Sequence, residues 1–105
     1  MAVDAVITDG TAVVRLRGSL DITCSSALAE QLAEIMHPAA IMAKKPKRLV
    51  FDLTGVDFMD CTAARVLLSA TRSLPDGQRP VIRSANPLVR RLLQLTGLDT
   101  LCTLA

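Results

Sequence analysis

A carboxylate, a thiol and a hydroxyl follow one another at Asp60, Cys61 and Thr62. The apolar run at residues 49–53 predicts a buried strand before them, and helically spaced apolar residues predict a helix over residues 62–73. The three side chains are therefore expected at a helix N-terminus, where free backbone N–H groups and the helix dipole favour negative charge. An exposed hydroxyl in that position is suited to phosphorylation, which adds roughly one to two negative charges.

The same residues also have a structural interpretation. Asp60 or Thr62 would serve as an ordinary N-cap that accepts a hydrogen bond from a backbone N–H group, and Gly55 would form an ordinary turn. Because such caps are common, spacing alone favours the structural interpretation over a modification site.

Neither a metal site nor a catalytic site is expected from the cysteines and the single histidine. Cys24, Cys61 and Cys102 are widely spaced without a CxxC pair, and one histidine adds too few ligands for zinc. A Cys61 nucleophile would need His37 as its base, yet His37 ends a different predicted helix. We therefore expect a protein that is not an enzyme and that binds no cofactor and no metal.

Length and composition limit the remaining classes of function. The chain has 105 residues, enough for one domain; 50% are hydrophobic, and the only aromatic residues are two phenylalanines. A net charge of +2 and this shortage of aromatic residues argue against nucleic acid as a direct partner. No apolar run reaches the ~18 residues that span a membrane, and the first residues do not resemble a signal peptide. We expect a cytoplasmic protein with free thiols and no membrane partner.

Hydrophobic periodicity predicts five strands and three helices in the order β-β-α-β-α-β-α-β. The predicted strands cover residues 3–8, 11–17, 49–53, 80–83 and 101–104, and the predicted helices cover residues 24–36, 62–73 and 87–96. Residues 38–46 and 54–60 are expected to be loops. Strand–helix–strand units require parallel crossovers, so we expect an α/β fold with a mixed four- to five-stranded sheet and the helices packed against it.

Turn and cap residues mark several of these boundaries. Asp9-Gly10 predicts a two-residue type I′ turn between the first two strands, because both positions of such a turn require positive φ. Asp21 and Thr23 are candidate caps of the first helix. The third helix is expected to follow Asn86 as its cap and to end at Gly97.

Three stretches together resemble the STAS family, which includes sulphate-transporter C-terminal domains and bacterial anti-sigma factor antagonists. Gly-Ser-Leu-Asp at residues 18–21 is similar to the family's G-E-L-D signature. RLVFDLTGVDFMDCTA at residues 48–63 resembles its strand, loop and D-S-[ST]-G phosphorylation loop. Residues 86–98 resemble its last helix, which commonly ends in S-G-L or T-G-L. The resemblance implies a single STAS-like domain over residues 1–105.

This resemblance implies a function as an anti-sigma factor antagonist. In the family, the unphosphorylated antagonist binds an anti-sigma factor, a serine/threonine kinase of the histidine-kinase-like ATPase fold, and a sigma factor is released. The kinase then phosphorylates the antagonist, the complex separates, and a phosphatase resets it. By position, Thr62 corresponds to the acceptor, Cys61 to the preceding serine and Asp60 to the motif's aspartate, while Asp21 corresponds to the aspartate of G-E-L-D.

Two departures from the motif affect this comparison. Cys61 replaces a serine, so Thr62 is the one acceptor in the motif, and Ala63 replaces a glycine, which restricts the helix start. They leave open a member that binds without being phosphorylated. The implied partner surface covers residues 23–26, the loop at residues 57–62 and the outer face of the second helix. Its named residues are Asp21, Thr23, Ser25, Asp57, Asp60, Cys61, Arg65, Ser69 and Arg72. The arginines taken singly are also typical of a solvated helix face.

Two further functions remain alternatives. Some single-domain STAS proteins are accessory subunits of membrane lipid-transport ATPases, which co-purification would distinguish from partners of a soluble kinase. In the second alternative, the Cys61 thiol at a helix N-terminus is reactive. Its oxidation, or a disulfide that it forms with Cys24 or Cys102, then controls the antagonist. Against this, Cys24 and Cys102 have the pattern of small buried apolar residues.

Overall fold

The computed structural model describes residues 1–37, 46–75, 77–83, 86–97, 100 and 102–104. In these residues the chain forms β1 (Ala2–Thr8), β2 (Thr11–Leu20), α1 (Ser25–Met36), β3 (Arg48–Met59), α2 (Cys61–Thr71), β4 (Val81–Arg83), α3 (Pro87–Thr96) and β5 (Thr103–Leu104). The order of elements is the predicted one, and the α/β class with its mixed sheet is confirmed. Most of the predicted loop at residues 38–46, and Leu101 of the last predicted strand, lie outside the described residues.

The strands form one five-stranded sheet in the order β1-β2-β3-β4-β5. β1 is antiparallel to β2, whereas β2, β3, β4 and β5 are parallel to one another. Each parallel connection therefore steps across the sheet in the same direction. Since such connections are almost always right-handed, the three helices lie on one face of the sheet. We call the opposite face the open face.

The hydrophobic core lies between the sheet and the helices. Along β2, Ala12, Val14 and Leu16 are buried, while the alternating residues Arg15 and Arg17 are exposed on the open face. The helices add the buried residues Leu28, Leu32, Met36, Ala63, Ala64, Leu67, Ala70, Val89 and Leu93. The core is therefore mainly aliphatic, as the composition predicts.

Two of the predicted boundaries are confirmed in detail. Asp9 and Gly10 have φ of 50° and 78°, the positive values that a type I′ turn requires. The side chain of Asn86 accepts a hydrogen bond from the N–H of Val89 at 2.9 Å, and Gly97 ends α3 with φ of 79°. Local residue types decide both boundaries, so the sequence pattern was sufficient to place them.

β3 is longer than predicted, because residues 54–59 continue the strand and do not form a loop. After an irregularity, pairing with β2 resumes at Arg17↔Gly55 and ends at Leu20↔Met59. Such irregularities let one strand carry extra residues without ending the ladder, as β-bulges do. The polar, glycine-containing sequence favoured a loop because local composition does not reveal a distant strand partner.

Gly55 belongs to this strand, so its interpretation as an ordinary turn is wrong. A Cβ built on Gly55 would lie 2.6 Å from Cγ of Arg17, which shows that the Arg17 side chain lies across the glycine. From there, Nη2 of Arg17 donates to Oδ2 of Asp4 on β1 at 2.8 Å. Glycine therefore permits a close approach between β3 and a side chain of β2.

The predicted capping of α1 is also wrong. The N-cap is Cys24, and this cap has no side-chain hydrogen bond. Asp21 instead accepts hydrogen bonds from the hydroxyl of Thr23 and, at 3.0 Å, from its N–H. These bonds close a turn between β2 and α1, and such a turn competes with helix capping for the same carboxylate.

Candidate functional site

The carboxyl ends of β2 and β3 lie side by side at one edge of the sheet. Leu20 is paired with Met59, and the N–H of Asp60 donates to the carbonyl oxygen of Leu20 at 3.0 Å. Asp21 and Asp60 directly follow these strand ends, so they leave the sheet at the same edge. The structure thus brings together two of the sequence stretches that carry the family resemblance.

Asp60 is the N-cap of α2, as its structural interpretation predicts. Its backbone is extended, with φ of −106° and ψ of 177°, and its Oδ1 accepts a hydrogen bond from the N–H of Ala63 at 3.0 Å. This bond satisfies one of the free N–H groups of the first turn. The cap places Cys61 and Thr62 at the first two helical positions.

Cys61 and Thr62 differ in exposure. Cys61 is exposed, whereas Thr62 is partly buried, so Thr62 is less accessible than the sequence predicted. Within the part of the chain that the structure describes, the Thr62 hydroxyl has no hydrogen-bond partner and does not act as a cap. Ala63 is fully buried in helical backbone, so alanine in place of the motif's glycine needs no special backbone conformation.

Three carboxylates lie within two residues of the carboxyl ends of β2 and β3 along the chain. Asp21 and Asp60 flank the edge, and Asp57 is exposed in the last part of β3. We name Asp21, Asp57, Asp60 and Thr62 the acidic edge. The hydrogen bond from the Thr23 hydroxyl is the largest cause that holds the pKa of Asp21 below its usual value, so Asp21 is charged at neutral pH.

The turn before α1 holds the other predicted partner-binding residues. Thr23 is exposed beside Asp21, whereas Ser25 is partly buried and donates its hydroxyl to the carbonyl oxygen of Ile22 at 3.0 Å. Cys24 is partly buried, with Sγ 3.2 Å from the carbonyl oxygen of Asp21. Thr23 is therefore available at the surface, and Ser25 is engaged by the backbone.

The outer face of α2 carries Arg65, Ser69 and Arg72, all of which are exposed. These residues follow Thr62 at helical spacing and share one side of the helix with it. The face lies between two grooves. The groove between α1 and α2 measures about 220 Å³ and is bordered by Ser69. The groove between α2 and α3 measures about 330 Å³ and is bordered by Cys61 and Arg65.

Two exposed apolar side chains lie near the acidic edge: Phe58 falls within the predicted partner segment at residues 57–62, whereas Ile22 is missing from the predicted surface. Ile22, which follows Asp21, is 69% exposed, and Phe58, which follows Asp57, is 51% exposed. Phe58 is paired with Ser19, so it lies at the carboxyl end of the strands. The residues around Ile22 and Phe58 lack the regular alternation that would show from the sequence which side chains face solvent.

A second charged cluster lies on the open face, in the middle of the strands. Asp52 is buried, and its Oδ2 lies 3.6 Å from Nε of Arg15 and 3.4 Å from Nη2 of Arg83. Its Oδ1 accepts hydrogen bonds from the hydroxyl and the N–H of Thr54, at 2.6 and 3.1 Å. The Thr54 hydroxyl is the largest cause that lowers the pKa of Asp52, and both arginines lower it further. This cluster joins β2, β3 and β4 and serves the fold.

The catalytic pair that Cys61 would require is not formed. Nε2 of His37 lies 3.1 Å from Oγ of Ser73, just past the end of α2, whereas Cys61 is the first residue of that helix. A helix of this length separates its ends by about 16 Å. Cys24 and Cys61 are free thiols, and Cys102 is buried. The described ranges contain no group of three or more metal-ligating side chains.

No helix in the described part of the chain is both long and apolar enough to cross a membrane.

Comparison with known proteins finds one family over nearly the whole chain. The family model described as STAS domain matches residues 2–105. The anti-sigma-F factor antagonist RsfB of Mycobacterium tuberculosis is 26% identical over 91 residues, which cover 87% of this chain and 70% of RsfB.

Solved structures show the same fold. The crystal structure of an anti-sigma factor antagonist from Mycobacterium paratuberculosis superposes with a TM-score of 0.82 at 25% identity, over 98% of this chain and 83% of that one. The anti-sigma factor antagonist SpoIIAA in its unphosphorylated form superposes with a TM-score of 0.78 at 23% identity, over 99% of this chain and 88% of that one. The Bacillus cell fate determinant SpoIIAA in its phosphorylated form superposes with a TM-score of 0.69 at 22% identity, over 99% of this chain and 91% of that one.

Proposed function

Since the chain belongs to the STAS domain family, we propose that it is an anti-sigma factor antagonist that is switched off by phosphorylation of Thr62. It binds an anti-sigma factor kinase of the histidine-kinase-like ATPase fold in the cytoplasm, and a sigma factor is thereby released. Its function is binding and not catalysis. The relatives described above carry the name of anti-sigma factor antagonists, which supports this partner class.

The observation that carries the proposal is the position of Thr62 two residues after Asp60, whose N–H is bonded to Leu20, the residue before Asp21. Thr62 lies in the first turn of α2, where the helix dipole stabilises added negative charge by about 0.3–1 kcal/mol. A phosphate on Thr62 is therefore compatible with the fold. On the surface, however, it adds up to about two negative charges to an edge that already carries three carboxylates. The charge offered to a partner changes while the structure is retained, as a binding switch requires.

The surface around Thr62 indicates what the partner presents. The acidic edge favours basic groups, whereas Arg65 and Arg72 along α2 favour acidic groups. Ile22 and Phe58 favour an apolar contact near the acidic edge. Such an arrangement fixes the orientation of the partner, and it makes the region around Thr62 sensitive to one added phosphate.

The alternatives receive less support. The names of the relatives favour the antagonist over an accessory subunit of a membrane ATPase. A disulfide between Cys61 and Cys102 would require a buried residue to leave the core. Oxidation of the exposed Cys61 alone remains compatible with the antagonist function.

The test is affinity capture from the native lysate with the wild-type protein and with Thr62→Glu, followed by mass spectrometry. Gln94→Glu, which adds a carboxylate to an exposed position of α3, is the matched control. We expect wild type and Gln94→Glu to retain an anti-sigma factor kinase and Thr62→Glu to lose it. Retention of the same kinase by Thr62→Glu would contradict the switch, and capture of a membrane ATPase in its place would contradict the partner class.

A further inference from the structure

β1 is an edge strand of the sheet, and one side of its backbone has no partner among the described residues. Among the described strands it pairs only with β2, in a continuous register from Ala2↔Arg17 to Thr8↔Thr11. The N–H and C=O groups on its other side therefore point away from the sheet along seven residues. The opposite edge differs, because only two of the described residues belong to β5.

β1 lacks most of the features that protect natural edge strands from pairing. Its sequence, AVDAVIT, contains no proline, no lysine and no arginine, and its register has no bulge. Its one charge, Asp4, is already bound by Arg17 at 2.8 Å. Val6 is 64% exposed and the next residue, Ile7, is 49% exposed, so apolar side chains are exposed on both faces of the strand.

We propose that β1 pairs with β1 of a second copy of this chain, antiparallel and about a two-fold axis at Ala5. In this register all seven residues find a partner, and the two sheets become one continuous sheet. Val3 faces the partner's Ile7, and Asp4 faces the partner's Val6, so no like charges are opposed. A second copy fits because it presents the same unpaired main-chain groups and the same exposed apolar side chains, and because this register opposes no like charges.

The exposure of Val6 on the open face also supports a second copy of this chain as the partner of β1. Strand register aligns Val6, Val13, Val50 and Val81 in one row across the sheet, and this row reaches solvent at Val6. In the proposed register the Val6 side chains of the two copies become diagonal neighbours, about 7–8 Å apart. The two valine rows then form one apolar strip. None of the residues of the acidic edge belongs to β1, so the dimer does not depend on the proposed antagonist function.

The first test is sedimentation equilibrium over a concentration series. We expect the wild-type mass to rise toward twice the 11.2 kDa of the chain. Val6→Asp places a carboxylate opposite the partner's Asp4 at two symmetry-related positions of the dimer. We expect this variant to associate at least about tenfold more weakly than wild type. Leu88→Asp makes the same change at an exposed position of α3 and is expected to associate as wild type does. A monomeric wild type, an unaffected Val6→Asp or a dissociated Leu88→Asp would each overturn the proposal.

The second test examines the register. Ala5→Cys in a Cys61→Ser background places two thiols directly opposite each other, within the distance that a disulfide spans. Oxidised glutathione takes up the two electrons, and a covalent dimer should form. Thr8→Cys in the same background is the control, because Thr8 faces the partner's Ala2. Equal cross-linking of the two variants would contradict the two-fold at Ala5.

Discussion

The backbone N–H of Asp60 donates to the carbonyl oxygen of Leu20 at 3.0 Å and so ties the start of α2 to the end of β2. On the other side, the carboxylate of Asp60 caps α2 through the N–H of Ala63. One residue thereby fixes the position of Thr62 relative to Asp21.

Removal of the Asp60 cap should destabilise the protein. We expect Asp60→Ala to lower the free energy of unfolding by about 1 kcal/mol, because the N–H of Ala63 loses its acceptor. Asp60→Asn retains an acceptor and should cost less. Urea denaturation measures both, with Asp57→Ala, at an exposed position of β3, as the control. Equal losses for Asp57→Ala and Asp60→Ala would show that the cap is not the cause.

Gly55 and Arg17 should be coupled in stability. Gly55→Ala places a Cβ 2.6 Å from Cγ of Arg17, so the arginine must move and its bond to Asp4 is disturbed. We expect a loss of about 1 kcal/mol in the wild-type background. In an Arg17→Ala background the same substitution should be neutral or stabilising, because alanine has the lower backbone entropy when unfolded. A double-mutant cycle by urea denaturation without coupling would contradict this packing.

Asp52 should make stability depend on pH in the acidic range. Hydrogen bonds from Thr54, and then the positive charges of Arg83 and Arg15, hold its folded pKa below the ordinary value of 3.8. Its contribution is therefore complete above the unfolded pKa and is lost as pH falls through the folded pKa. Urea denaturation below about pH 5 should show a steeper loss for wild type than for Asp52→Asn. Thr54→Val removes the hydroxyl that lowers the pKa of Asp52 most, so its loss of stability should lie between those of wild type and Asp52→Asn. Parallel curves for all three proteins would show that Asp52 is not the source of the pH dependence.

Much of the fold could be predicted from local sequence patterns, whereas less of the candidate site could be predicted in this way. Asp9-Gly10 and the cap of α3 were predictable because each depends on residues within one turn of the chain. The extension of β3 past Thr54 was not, because its pairing with β2 is long-range and includes irregularities. The exposure of Phe58 was not predictable either, because it depends on the face of the sheet to which its side chain points. In a strand with register irregularities, the spacing of residues does not determine that face.

The outer face of α2 should contribute to the rate of partner association. Arg65→Glu reverses a charge on this face, and we expect slower association that depends more weakly on salt. Arg90→Glu makes the same reversal at an exposed position of α3 and is the matched control. Surface plasmon resonance with the captured anti-sigma factor at two ionic strengths measures the effect. Equal association rates for the two variants would exclude this face from the interface.

The most direct test of the antagonist function is to phosphorylate the purified protein with the captured kinase and ATP and then measure the affinity of each form. We expect a single phosphate on Thr62, none on Thr62→Val, and an affinity at least about tenfold weaker after modification, a difference of about 1.4 kcal/mol. Phosphate at another residue, or equal affinity of the two forms, would contradict a switch at Thr62.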